Sequence, residues 1–153
     1  MAQKKIIVLA FGTFDLIHPG HKYYLRQARA LGDELVVVVA RDETVHKLKG
    51  HWPLRDEATR LAAVEGVPSV SRAMLGNLGN YYRVLDLVRP DVVALGYDQK
   101  NFTRHIKTEL RRRRLNSRVV RIDAYRPEQY KSSIIKKQSR IKETAGQEPS
   151  KVE

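Results

Sequence analysis

Two histidines, His18 and His21, stand in the string F-G-T-F-D-L-I-H-P-G-H at 11–21. Pro19 and Gly20 between them open a segment in which Tyr24, Leu25, Ala28 and Leu31 recur at helical spacing. Both imidazoles therefore fall in the first turn of a helix, on one side of it. Free backbone N–H groups and the positive end of the helix dipole favour an anion at such a mouth. Two imidazoles placed there can donate hydrogen bonds to an α-phosphate as its charge redistributes during in-line attack. A metal centre is the competing use of a histidine pair, but the helical spacing H-E-x-x-H is absent and no cysteine is available to complete a zinc site. His46, His51 and His105 lack such a turn and read as surface residues.

The elements that must position this pair follow from apolar periodicity. Ile6 to Ala10 is an apolar run suited to a strand buried on both faces, and Gly12 permits the turn after it. Glu34 to Ala40 reads as a second buried strand, with Arg41 and Asp42 just beyond its carboxyl end, the edge where an open parallel sheet binds ligands. Thr44 to Trp52 reads as a loop carrying Lys47, Lys49 and Gly50. Leu54 to Glu65 reads as a helix with Asp56 and Glu57 in its first turn and Ala58, Leu61, Ala62 and Glu65 on one face. Arg60 falls on the opposite face, where a surface salt bridge explains it as easily as a role in the site. Val67 to Met74 is a short third strand ending near Arg72, and Gly76 and Gly79 mark a loop. Leu78, Tyr81, Tyr82, Leu85 and Val88 form a helical stripe best used in core packing. Asp91 to Leu95 is the next buried strand, opening on Gly96, Tyr97, Asp98 and Gln99. Asp98 points toward the sheet edge that His18 shares, and it also suits a helix N-cap. Phe102, Ile106 and Leu110 stripe a further helix that ends near Arg114 with Arg113 close to its buried face, and Val119 to Ile122 is the last strand. Strands alternating with helices in this way specify a Rossmann-like α/β fold, a three-layer sandwich around a five-stranded parallel sheet.

A chain of 153 residues with 42% hydrophobic residues suits one domain, expected over 1–142, with 143–153 a polar, disordered tail. No apolar run is long enough to cross a bilayer, and the amino terminus does not have the form of a secretory leader, so a cytoplasmic protein is expected. The net charge of +12 attracts polyanions of any kind. Its densest part, Arg111 to Arg114, reads as a solvated helix end; without interleaved aromatics it makes a poor RNA platform.

The string G-T-F-D-L-I-H-P-G-H at 12–21 resembles the signature of the cytidylyltransferase-like nucleotidyltransferases. The blocks 32–42, Lys49-Gly50, Pro90-Asp91 and 96–99 are most similar to the archaeal FAD synthetases of that family, over about residues 4 to 140. R-P-E-Q-Y-K-S-S-I-I-K-K at 126–137 resembles the family's second signature, an arginine followed by a hydroxyl pair that begins a helix. The resemblance implies catalysis by His18, His21, Lys49 and Arg126. It implies a nucleotide site built from Phe11, Gly12, Thr13 and Phe14, the two histidines, Asp98, Arg126, Ser132 and Ser133. The acceptor would meet Asp15, Asp42, Lys49 and Tyr97, although Asp15 also suits an Asx bond holding its own turn. The implied reaction joins ATP and FMN into FAD and pyrophosphate, with Mg²⁺ or another divalent ion riding on the phosphates and no protein metal site. A homodimer is a further expectation, since relatives of this kind often pair. CTP with a phosphorylated alcohol such as glycerol 3-phosphate would use the same chemistry, and a non-catalytic nucleotide- or RNA-binding protein is the alternative from another class.

Overall fold

The computed structural model describes residues 4–99 and 104–125. Its elements run β1 (Ile7–Gly12), α1 (Pro19–Arg29), β2 (Glu34–Val39), α2 (Asp42–Lys49), α3 (Glu57–Glu65), β3 (Arg72–Leu75), α4 (Arg83–Val88), β4 (Val92–Leu95), α5 (Ile106–Arg112) and β5 (Arg118–Arg121). The five strands form one parallel sheet, as the alternating pattern implies, and the structure sets their order as β3-β2-β1-β4-β5. Successive side chains of a strand point to opposite faces, and β1 shows how this builds three layers. Val8 and Ala10 pack with Tyr24, Leu25 and Ala28 of α1 and Val64 of α3. Leu9 and Phe11 pack on the other face with Val84, Leu85 and Val88 of α4 and Ile106 and Leu110 of α5.

Several local expectations need correction. The segment from Thr44 is not a loop but most of α2, which starts on Asp42 and Glu43, ends on Lys47 and Lys49, and buries Thr44 and Val45. Gly50 terminates it in the left-handed region at φ 82°, a conformation that glycine adopts without strain. In α3 the buried residues are Arg60 and Val64, while Ala58, Ala62 and Glu65 face solvent. Arg60 has no exposed surface at all, so it is not part of a surface salt bridge. β1 runs two residues past Ala10, and the turn after it has Phe14 in the left-handed region at φ 54°. Gly12 is needed for space: a Cβ there would lie 2.5 Å from Cε2 and Cζ of the Phe14 ring. Leu78 is half exposed, and Tyr81 faces a cavity instead of the core. α5 stops at Arg112, and Arg113 turns back to bond Glu109 and Asp86. Phe102, the end of the expected domain and its tail lie outside the described residues.

Candidate active site

The site lies at the carboxyl ends of β1 and β4, the neighbours between which the strand order reverses. Their pairing stops at Ala10 and Ala94, whereas β1 continues beside β2 to Gly12. That early separation opens the crevice expected at a topological switch point. Two side chains bind the exposed backbone there. Tyr24, buried on α1, accepts from Phe11 N at 3.3 Å and donates to the Ala94 carbonyl at 2.7 Å. Gln99 donates from Nε2 to the Phe11 carbonyl at 2.8 Å and accepts from Gly96 N at 2.9 Å. Arg121 of β5 holds the same turn by donating to the carbonyls of Gly96 and Gln99.

At the start of α1 the histidines form a reciprocal cap. His18 is the N-cap, and its Nδ1 accepts from Gly20 N at 3.1 Å; its own backbone N–H donates to Nδ1 of His21 at 3.3 Å. Two otherwise orphaned N–H groups are satisfied, a capping box built from imidazoles. With Nδ1 of His18 accepting, the proton of its neutral form belongs on Nε2. The rings stack with centroids 3.8 Å apart, and Phe14 packs its edge against His21. His21 is 5% exposed, and burial followed by the charge of His18 pulls its pKa from 6.5 to about 3, against a hydrogen bond with the Leu16 backbone that acts the other way. The ring is neutral at neutral pH.

Beside this turn is a cavity of about 250 Å³ whose walls include Phe11, Val38, Ala40, Leu48 and Tyr81, with Lys49 and Asp98 among its polar residues. Gly12 and Thr13 also line it. The histidines do not. Lys49 connects the two parts, since it lines the cavity and its charge reaches His21. Tyr97 is placed elsewhere, in a hollow of about 10 Å³ with Tyr23, Tyr24 and Tyr125. Asp15 accepts the backbone N–H groups of Leu54 and Arg55 at 2.8 and 2.9 Å, and Asp42 accepts from Arg60 at 2.6 Å. Asp15 thus ties the loop before α3 to the turn after β1, and Asp42 ties α2 to α3. Arg126, Ser132 and Ser133 lie outside the described residues.

Sequence reasoning set Arg41 and Gln99 at the sheet edge without a role, and missed Tyr81 as a cavity residue and Tyr24 as a bridge. Gln99 and Tyr24 became informative only once β1 and β4 were adjacent. Arg60 did carry a signal, because it stands four residues before Val64 and shares the buried face of that helix.

Residues 9–138 match the family model described as cytidylyltransferase-like. The chain belongs to this family. It is 50% identical over 118 residues to an FAD synthase of Aciduliprofundum boonei, covering 77% of this chain and 78% of that protein. It is 45% identical over 130 residues to an FAD synthase of Thermoplasma acidophilum, covering 85% and 91%. Among solved structures, one from Thermoplasma volcanium titled a lipopolysaccharide core biosynthesis protein superposes with TM-score 0.75 at 41% identity, covering 80% of this chain and 99% of that one. A pantoate-beta-alanine ligase from Francisella tularensis shares the fold at TM-score 0.60 and 12% identity, covering 82% and 62%. The resemblance read from 12–21 and the later blocks is therefore borne out, and the chain is a nucleotidyltransferase of this family.

Proposed function

We propose that the chain transfers the adenylyl group of ATP to the phosphate of FMN, giving FAD and pyrophosphate. The observation that carries this reading is an apolar-walled cavity opening beside a histidine-capped helix mouth at one sheet edge. The cavity suits a flat, largely apolar ring system, and the helix mouth suits phosphates. The names of the relatives at 45–50% identity support ATP and FMN as the substrate pair.

In this reading an oxygen of the FMN phosphate attacks the α-phosphorus in line. The bond from that phosphorus to the oxygen bridging toward the β-phosphorus breaks, and pyrophosphate leaves with the electron pair. The FMN phosphate is ionised at neutral pH, so no protein base is required. His18 and His21 donate hydrogen bonds to the charge that gathers on the transferring group, and Lys49 draws the acceptor phosphate toward it. Arg126, Ser132 and Ser133 take the outer phosphates by the motif they match.

Among the described residues no cluster of His, Asp or Glu is placed to hold a metal ion. Both oxygens of Asp15 hold backbone N–H groups, and Asp42 Oδ1 is held by Arg60. This donor set fits a divalent ion that enters on the triphosphate as part of the substrate. No described helix is long and apolar enough to cross a membrane, and a cytoplasmic homodimer completes the proposal; light scattering tests its assembly.

The test is to offer ATP or CTP with Mg²⁺ to purified protein, each with FMN or glycerol 3-phosphate, and to separate the products by chromatography. FAD with one pyrophosphate per turnover is expected from ATP and FMN alone. A CDP-alcohol would overturn the substrate pair and keep the chemistry.

A further inference from the structure

Arginine is among the residues least often fully buried, because its charge and five N–H donors must all be satisfied away from water. Arg60 has no exposed surface, and it lies on neither the cavity wall nor the histidine turn. Its guanidinium instead reaches three separate pieces of chain. Nη1 donates to the Thr13 carbonyl at 2.8 Å, Nη2 to Asp42 Oδ1 at 2.6 Å, and Nε to the Arg55 carbonyl at 2.9 Å.

Each end point has a place in the site. Thr13 belongs to the turn between β1 and the histidines. Asp42 begins α2, the helix that delivers Thr44, Leu48 and Lys49 to the cavity. Arg55 belongs to the loop that Asp15 of the same turn also holds. Glu57, one turn before Arg60 on α3, extends the network: it accepts from Asp42 N at 2.8 Å and from Nε of Arg41, another cavity residue, at 3.2 Å. If filling the core were its only task, an apolar side chain of similar volume would serve as well or better, since breaking a buried ionic group's partnerships is costly and making them gains little. The planar fork is what fixes three groups at set angles.

We infer that Arg60 is a positioning residue for nucleotidyl transfer, the brace that fixes the phosphate-binding turn relative to Lys49 and the acceptor wall. The inference rests on the reaction proposed above. Reacting groups tolerate little misplacement, and a shift of about 1 Å can lower a rate about 100-fold.

The experiment compares wild-type protein with Arg60→Lys, Asp42→Ala, their double variant and Val64→Ala, reading kcat and both KM values for FAD formation, with melting temperature alongside. Lysine keeps the charge but cannot reproduce the fork. Arg60→Lys is expected to lower kcat about 10- to 100-fold while moving each KM less than about threefold. Asp42→Ala, whose side chain is 27% exposed so that water can replace it, is expected to lower kcat in the same sense and to carry the test if Arg60→Lys does not fold. The double variant should be no slower than the slower single, as members of one network behave. Val64→Ala on the same buried face should lower the melting temperature and leave kcat within about twofold, which separates loss of stability from loss of position. Brace variants that melt lower but turn over at the wild-type rate would overturn the inference alone. A wild-type protein that forms no FAD from ATP and FMN would overturn the reaction it rests on.

Discussion

His21 joins two properties that usually exclude each other in a histidine, being polar enough to organise a helix start and yet nearly buried. Desolvation and the neighbouring His18 hold its pKa at about 3, so at working pH it is a neutral hydrogen-bond donor and no reservoir of charge. Stability depends on pH accordingly. The unfolded chain takes up this proton near pH 6.5 and the folded chain only near 3, so the unfolded state binds more protons between those values. Stability present above 6.5 is lost as pH falls toward 3, at up to about 1.4 kcal/mol per unit. Urea denaturation at steps from pH 7 to 4 should show a steeper loss for wild type than for His21→Gln, and parallel curves would mean that His21 protonates freely in the fold. The importance of this pair was legible in the sequence, since two histidines beside Pro19 and Gly20 after an apolar run already imply a helix mouth. Its depressed pKa was not, because burial by Phe14 arises from a left-handed residue that no pattern announces.

At the scale of elements, α1 makes a second separation possible, because His18 caps the helix and also faces the proposed chemistry. Asparagine caps as well as any residue, whereas alanine costs about 1 kcal/mol. His18→Ala should therefore lose stability and turnover together. His18→Asn should keep the melting temperature near wild type and still lower kcat for FAD formation by about 100- to 1,000-fold. Full activity in His18→Asn would reduce the histidine to a cap. Four strands and most helices are legible from periodicity, but the apolar run from Val67 points to a strand ending near Arg72, where β3 begins, and the strand order has no mark in the pattern. α2 is hard to read from its sequence because Lys47, Lys49 and Gly50 look like loop chemistry. In fact Asp42 and Glu43 at one end, basic residues at the other and a left-handed Gly50 after them form a complete helix pattern. The buried face of α3 is not evident from its pattern because an arginine ordinarily faces water. The partners that permit its burial are Thr13 and Asp42, distant in sequence.

Across the molecule, the sheet order places β1 beside β4 and so joins turns separated by most of the chain. Tyr24 and Gln99 bridge the parted strand ends, while Arg41 and Lys49 come from the two ends of α2 and Tyr81 from the turn before α4. A cavity assembled from such distant pieces leaves no local mark in a sequence, whereas the phosphate turn is a contiguous string. The excess positive charge is partly tied down in the structure: Arg112 and Arg113 of the basic run pair with Glu109, and Arg113 also with Asp86. That favours a solvated helix end over a polyanion platform. Transfer of a nucleotidyl group to a flavin phosphate at the histidine turn is the activity proposed for this molecule. The most direct measurement is to supply ATP labelled at its α-phosphate together with FMN and Mg²⁺, and to follow the label in wild type and His18→Asn. Adenylyl transfer predicts label in FAD, none in pyrophosphate, and a near-complete loss of labelled FAD in the variant. Label that stays in ATP or appears only in AMP with wild-type protein, or FAD labelled equally well by His18→Asn, would contradict it.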